Sequence, residues 1–406
     1  MENKVRLLTQ VFPFLLLSFV LFISTSVLAF TKTVRIKNVN PVDIIDAPVV
    51  VKLDSSILLS SEQLINLIVS IDGKIVSSQM DDLNIDGKPD ELVFLVNLKA
   101  GEQKKAVLKT TNISKRPADT PETDASLILK TSEGFRQVTE VSSTKNDMYN
   151  QIHHHGVAFE SALIAYRIYF DNKSTIDIYG KKKTQLELVQ TGWYPTEDQL
   201  KAGYGDDILL VSDWVGNGTV KGWNGTKLTH IDTFEKRTHR ILAKGNIRTV
   251  VESEVKGWYY EGKKTDLSVR YSIYARHRDV IAEIRASNDI QNLATGVQMI
   301  GGGPCMHSDQ LVGTWGSWYP QPDTVKYAKE TVGLGLYLPQ QFRGKQHMDG
   351  VNNILLFPVK SGELVRFHFT TIATKEENQP VQSADAFFNY LINWSKSLSP
   401  IHIKTY

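Results

Sequence analysis

The stretch "RTVVESEVKGWYYEGKKTDLSVRYSIYARHRDVIAEIRAS", residues 248–287, decides how this chain folds. Within it, "DLSVRYSIYARH" puts Leu267, Val269, Tyr271 and Ile273 on one face and Ser268, Arg270 and Ser272 on the other. That alternation has the period of a strand with one side buried. The segments around it are equally β-branched, and the turns between them are short, as antiparallel neighbours allow. Working outward, "SALIAYRIYFD" (161–171), "STIDIYG" (174–180), "VGLGLYLP" (332–339), "NNILLFPV" (352–359) and "ELVRFHFTTIA" (363–373) read the same way. One good helix stands near the end: Ser383 caps it, Asp385 sits in its first turn, and Phe387, Leu391, Trp394 and Leu398 form its apolar stripe. Many long strands with so little helix predict a mainly β fold, a large antiparallel double-sheet sandwich over 127–406. Shorter strands, "TVRIKNV", "APVVVKL", "LVFLVNL" and "KKAVLKT", predict a small N-terminal β-sandwich over 30–111. The Pro- and Thr-rich residues 112–126 between them read as a linker or long loop.

The first 29 residues follow the secretory pattern: Lys4 and Arg6, an apolar run, then small residues at Val27 and Ala29. Export to the periplasm or beyond is therefore expected, with no membrane attachment after cleavage. Lys and Arg total 46 against 44 acids, a net +2 that gives no footing for nucleic acid. Cys305 is the single cysteine of 406 residues, so no internal disulfide can form. Nothing in the sequence sets the oligomeric state.

Three features could carry chemistry. In "DLNIDGKPD", Asp82, Asn84, Asp86 and Asp90 bring side-chain oxygens at alternating positions around Gly87, as a hard cation requires. A structural Ca²⁺ is one reading of this loop and an acidic turn is the other; no cofactor is required for activity on either. The run "NQIHHHGVAFESALIAYRIYFD" (150–171) holds His153, His154 and His155, then Glu160, Tyr166 and Arg167. Its distant histidine partners, His230 and His307 among them, lie at no metal-ligand spacing, which favours proton transfer by neutral imidazole. If the run is extended, His153 and His155 share one face and His154 the other; Tyr166 and Arg167 likewise point opposite ways. Arg167 could grip a carboxylate or pair with Asp171 or Asp177. Finally Trp193, Tyr194, Trp315 and Trp318 sit in Gly- and Pro-rich segments, where tryptophans serve as platforms for sugar faces or as plugs. No phosphate loop, dinucleotide fingerprint, serine elbow or H-E-x-x-H motif is present.

From "YNQIHHHGVAFESALIAYRIYFDNKSTIDIYGKK" through "GWYP", "DWVGNG" and "RTVVESEVKGW", the chain resembles the secreted bacterial domain of unknown function 4861 family, and "DDLNIDGKPDELVFLVNL" belongs to the same pattern. The resemblance covers nearly all of the chain after residue 29. It implies a galactose-mutarotase-like supersandwich and the chemistry of ulvan oligosaccharide dehydratases. That chemistry removes water from a saturated glucuronic or iduronic acid at the non-reducing end of an acidic, sulfated oligosaccharide, leaving a 4,5-unsaturated uronate. Such a reaction needs a base at C5, an acid for the departing 4-hydroxyl and neutralisation of the substrate carboxylate. The expected parts are His154 or His155 as base, Tyr166 as acid, Glu160 orienting a histidine and Arg167 on the carboxylate. His153, Trp193, Tyr194, His230, His307, Trp315 and Trp318 are expected to line the site. Strand parity lets these converge only if the backbone bends near Gly156. A polysaccharide lyase, a sugar epimerase or a non-catalytic binder of acidic glycans are the alternatives.

Overall fold

The computed structural model describes residues 30–53, 63, 66–111 and 120–406; the leader expected over 1–29 lies outside them. The predicted alternation holds through Tyr271 and ends at Ser272, which is buried like Ile273 after it. Leu267, Val269, Tyr271 and Ile273 are buried, while Ser268 and Arg270 stay half-exposed. Strand Lys263–Tyr274 pairs antiparallel with Arg248–Tyr260 on one side and with Val280–Ala286 on the other. Glu261 and Gly262, both at positive φ, close the first of these hairpins.

These three strands form the middle of a nine-stranded sheet that runs from Glu140–Ser143 at one edge to Cys305–Met306 at the other. Two five-stranded sheets complete the sandwich. One orders Asp206–Asp207, Ile176–Gly180, Ile164–Tyr169, Gly156–Ser161 and Thr123–Ser126; the other orders Leu228–Thr229, Lys221–Trp223, Ile290–Gln298, Asn352–Val359 and Lys345–Met348. Side chains of all three sheets meet in one core: Val269 and Ile273, Phe159 and Ile178, Leu293 and Phe357. Every pairing between these strands is antiparallel, so the fold is mainly β and sandwich-like, as the pattern predicts.

Helix Ala384–Ser395 packs Phe387, Leu391 and Trp394 against Trp315 and Ile372. Ser383 Oγ accepts from the amide of Ala386 at 3.3 Å, so the expected cap is in place. The glycines of "VGLGLYLP" form its seat, since a Cβ on Gly335 would lie 2.2 Å from Leu391 Cδ2. Trp315 is therefore packing rather than a sugar platform.

The N-terminal sandwich pairs a five-stranded sheet with a three-stranded one (Ile44–Lys52, Glu91–Leu98, Ser78–Asp81) around Val34, Val49, Val69, Phe94 and Leu108. Its boundaries differ from expectation in two places. The last strand of the chain, His402–Thr405, returns to it and pairs with Thr31–Lys37. Thr123–Ser126, expected in the linker, is instead an edge strand beside Gly156–Ser161. Neither short segment is apolar enough to announce a strand; each is held by a neighbour far away in sequence.

Candidate active site

The strand expected within 161–171 is Ile164–Tyr169, and it forms the second arm of a hairpin. Gly156–Ser161 pairs with Ile164–Tyr169, with Phe159 opposite Tyr166 and Ala158 opposite Arg167. Phe159 and Tyr166 face the core together, which leaves Arg167 and Tyr169 on the outer face of the sheet. Before this hairpin the three histidines make a single tight turn, not an extended lead-in. His154 (φ 57) and His155 (φ 60) are both left-handed, a sparsely populated conformation for residues with a Cβ. Gly156 follows because a Cβ there would sit 1.8 Å from the carbonyl oxygen of Ile168. The bend required near Gly156 thus falls on the two histidines before it.

The turn splits the run. His153 and His155 approach Trp193, with ring centroids 4.8 and 5.1 Å away. His154 turns inward, 1% exposed, with Nε2 3.0 Å from the carbonyl of Leu188. Burial lowers its pKa to about 3, so it is a neutral interior side chain. The split that strand parity predicts holds, though a left-handed turn produces it. Of the two expected bases, His155 alone lies against the outer aromatic residues, and it too is largely buried, at 5% exposed.

His155 is held in one tautomer. Its Nδ1 lies 2.9 Å from the carbonyl oxygen of Tyr149, which can only accept, so Nδ1 carries the proton. Nε2 therefore offers a lone pair, 3.2 Å from the Tyr194 hydroxyl. Burial lowers the His155 pKa to about 4, against the opposing pull of the Tyr149 carbonyl, and keeps the ring neutral near pH 7. Tyr149 stacks on the imidazole at 3.6 Å and 7°, and Tyr169 meets its edge at 5.7 Å. Phe135, 52% exposed, covers His153 at 4.1 Å and extends the aromatic wall formed with Trp193.

Beside this wall lies a buried charge group. The Arg167 guanidinium donates to both Asp177 and Asp207. Tyr169 donates its hydroxyl to Asp177 at 2.5 Å, and the Gln321 amide donates to Asp207. Two carboxylates on one guanidinium leave a negative charge unmatched, and a buried unmatched charge favours taking up a proton. Accordingly the Asp207 carboxyl is pushed up to about 7, first by burial and then by Asp177 and Asp206, against the pull of Arg167. Burial alone would lower the Arg167 pKa, but the two aspartates hold it well above its usual value. The charges of Arg167 and Asp177 act on His155, and those of Asp207 and Arg167 act on Tyr194, so imidazole, phenols and carboxylates form one site.

The other expected residues are placed elsewhere. Tyr166 is fully buried in the sandwich core and donates its hydroxyl to the carbonyl of Arg278 at 2.9 Å, so it cannot meet Arg167 or His155 in a common cleft. Glu160 is buried on Lys181 and on the amides of Glu187 and Leu188. It steadies a histidine only at one remove, through the Leu188 carbonyl that faces His154. Arg167 is occupied by its aspartates, the pairing that competed with a substrate carboxylate. His230 bonds to Lys221 at 3.2 Å in a separate cluster. His307 is exposed on the loop after Cys305–Met306, and Trp318 packs partly against the core. Asp177 takes the place beside Arg167 that the sequence leaves open to it, whereas Tyr149, Tyr169, Asp207 and Gln321 are not among the expected site residues. Tyr169 and Asp177 share the sheet face of Arg167 and were traceable by parity; Asp207 and Gln321 carry no local signal.

In the Asp82–Asp90 loop, Asp82 accepts the amides of Asp86 and Gly87 (3.2 and 2.7 Å), and Asp90 accepts those of Leu83 and Asn84 (2.7 and 3.0 Å). Asn84 turns its amide nitrogen to Asp90 at 2.9 Å. The side chains thus tie the turn themselves and leave only their remaining lone pairs for a cation. Among the described residues no three His, Cys, Asp or Glu side chains are grouped as metal ligands, and no helix is long and apolar enough to cross a membrane.

A family profile described as Domain of unknown function (DUF4861) matches residues 36–403. No curated protein matches the sequence. Solved structures with a similar course of chain include a protein in the Glycosyl Hydrolase Family 38 from Enterococcus faecalis, at 9% identity and a TM-score of 0.45 over 93% of this chain and 47% of the other. An alpha-mannosidase from Enterococcus faecalis V583 follows at 9% identity and 0.42, over 93% and 46%. The chain thus spans less than half the length of either.

Proposed function

This chain belongs to the DUF4861 family, and we propose that it is a hydro-lyase that dehydrates a saturated uronic acid at the non-reducing end of an acidic oligosaccharide. The observation that carries this reading is His155, a neutral imidazole whose Nδ1–H is committed to a carbonyl and whose Nε2 lone pair faces the Tyr194 hydroxyl beside an aromatic wall. A fixed, unprotonated nitrogen is what abstraction of a C5 proton requires. The aromatic faces of Trp193 and Phe135 suit the apolar face of a pyranose.

In the proposed step the C5–H bond breaks and its proton passes to His155 Nε2. The electron pair forms the C4–C5 double bond, and the C4–O bond breaks. Asp207, with a carboxyl that is partly protonated near neutrality, supplies the proton with which the hydroxyl leaves as water. This role replaces the one expected of Tyr166. Arg167 acts from behind its aspartates as fixed positive charge, and the Tyr194 hydroxyl is placed to steady the charge growing on the substrate carboxylate. Resemblance of the histidine block to ulvan oligosaccharide dehydratases supports the choice of substrate, an oligosaccharide of the ulvan type, and export to the periplasm.

Incubation with saturated-ended uronic oligosaccharides, read by mass and ultraviolet absorbance, tests the proposal. Loss of one water at constant chain length is the expected result. Shortened chains would establish a polysaccharide lyase instead, and binding without new absorbance would establish a glycan-binding protein.

A further inference from the structure

A second cleft lies on the other five-stranded sheet and shares no residue with the site around His155. It encloses about 470 Å³, within the usual range for a small-ligand site. Trp223 and His347 form an aromatic corner, with ring centroids 4.9 Å apart and planes at 66°. Arg343 and Lys345 are exposed at its rim, and Asn292 adds an amide. No carboxylate lines the cleft. Among the described residues neither Arg343 nor Lys345 has an ion-pair partner, unlike Arg240, Arg248, Arg270 and Arg278 elsewhere on the chain. Glu261, on the turn that faces Asn292, is spent on the amides of Gln291 and Asn292.

The corner is also held in place. The Tyr260 hydroxyl takes the Trp223 amide at 2.6 Å and lies 2.8 Å from the Trp223 carbonyl and 2.7 Å from that of Asn292. One phenol thus locks two lining strands together. Arg343 itself is left-handed (φ 52) at the end of the turn Gln340–Phe342, which sets the point from which its side chain leaves. A fixed aromatic corner under two unmatched cations suits a ligand with one apolar face and an anionic substituent.

We infer that this cleft is a second, non-reacting binding site for an anionic saccharide. The sugar face rests on His347 and on the narrow edge of Trp223 that stays uncovered, 9% exposed, and a sulfate or carboxylate group meets Arg343 and Lys345. The choice of a saccharide over other anionic rings rests on the proposed function; the position and charge of the site do not. Such a site would hold a long polyanionic chain while its end is processed elsewhere.

The test uses the full chain and three probes: dextran sulfate oligosaccharides, unsulfated dextran of equal length and sodium sulfate. None of these carries a uronate for the His155 site. Binding by calorimetry is expected for dextran sulfate, with at least a tenfold loss of affinity in Arg343→Ala/Lys345→Ala and a further loss in His347→Ala. Turnover of short uronic oligosaccharides should be unchanged in these variants, and so should the melting temperature of the double variant. Unchanged affinity in the double variant overturns the site. Equal binding of dextran overturns its anionic character, and equal binding of sodium sulfate reduces it to an anion site without saccharide recognition. A protein that binds dextran sulfate through Arg343 yet dehydrates nothing would leave this inference standing and remove the proposed function.

Discussion

Replacing His155 by Asn separates the chemistry of the turn from its architecture. Asn Nδ2 occupies nearly the place of His Nδ1, so the donation to the Tyr149 carbonyl survives. Asn also tolerates left-handed backbone better than most residues, so φ 60 at this position adds little strain. What disappears is the Nε2 lone pair that faces Tyr194. Loss of a general base costs about 10²–10⁴ in rate, or about 3–5 kcal/mol in the barrier. Stability should change far less: part of the 3.6 Å stack on Tyr149, about 0.5–1.5 kcal/mol, and one half-exposed hydrogen bond, about 1 kcal/mol. His154→Asn is the matched control, with nearly the same backbone angle. It leaves the buried Leu188 carbonyl only the longer 3.5 Å bond from the Thr191 hydroxyl, at about 1–3 kcal/mol, and opens space in the interior. The two variants should therefore cross over. His155→Asn loses kcat in the continuous absorbance assay with little change in KM, whereas His154→Asn melts lower while its folded fraction keeps its kcat. A His155→Asn enzyme within fivefold of the parent rate would refute the assignment of the base.

Four further outcomes follow from the same geometry. The kcat/KM profile should be a bell, rising as His155 loses its proton near pH 4 and falling as Asp207 loses its own near pH 7; Asp207→Asn should abolish the alkaline limb, and persistence of that limb would remove Asp207 as the acid. Trp193→Ala should raise KM about tenfold or more with a smaller effect on kcat, because the ring contacts both outer histidines and supplies binding surface. The neutral forms of buried His154, His155 and His368 stabilise the fold above pH 6.5 and their contribution is lost as pH falls towards 4 and 3, while the raised Asp207 carboxyl acts in the opposite sense below pH 7; the melting temperature should therefore fall on acidification, and more steeply in Asp207→Asn. If a structural Ca²⁺ occupies the Asp82–Asp90 loop, its addition raises the melting temperature and Asp82→Ala abolishes the rise; no shift on titration would leave the loop a self-tied turn.

Much of the architecture is legible in the sequence because it is local. Period-two alternation in 266–271 names the buried face directly, since successive side chains of a strand must point to opposite sides. The capped helix at 384–395 is legible for the same reason, its stripe repeating with the helical turn. Parity even separated His154 from its neighbours, because three residues in sequence seldom share a face in either an extended or a tightly turned backbone. Tyr166 shows where this reasoning stops: parity set it opposite Arg167, yet the need for an acid and a carboxylate grip drew both into one site, and burial in the core shows that parity was the sounder guide.

What the sequence by itself determined is a mainly β sandwich with an aromatic, histidine-bearing edge. Only the tertiary structure decided the site. Arg167 meets Asp207, 40 positions away, and Asp207 meets Gln321, 114 positions further on. No local pattern records such meetings. They arise because the sandwich buries these groups together, and burial then sets their protonation: Asp207 is raised towards neutrality and His155 is kept uncharged. Charge in a folded protein depends on what surrounds a group, and those surroundings are supplied by residues distant in the chain.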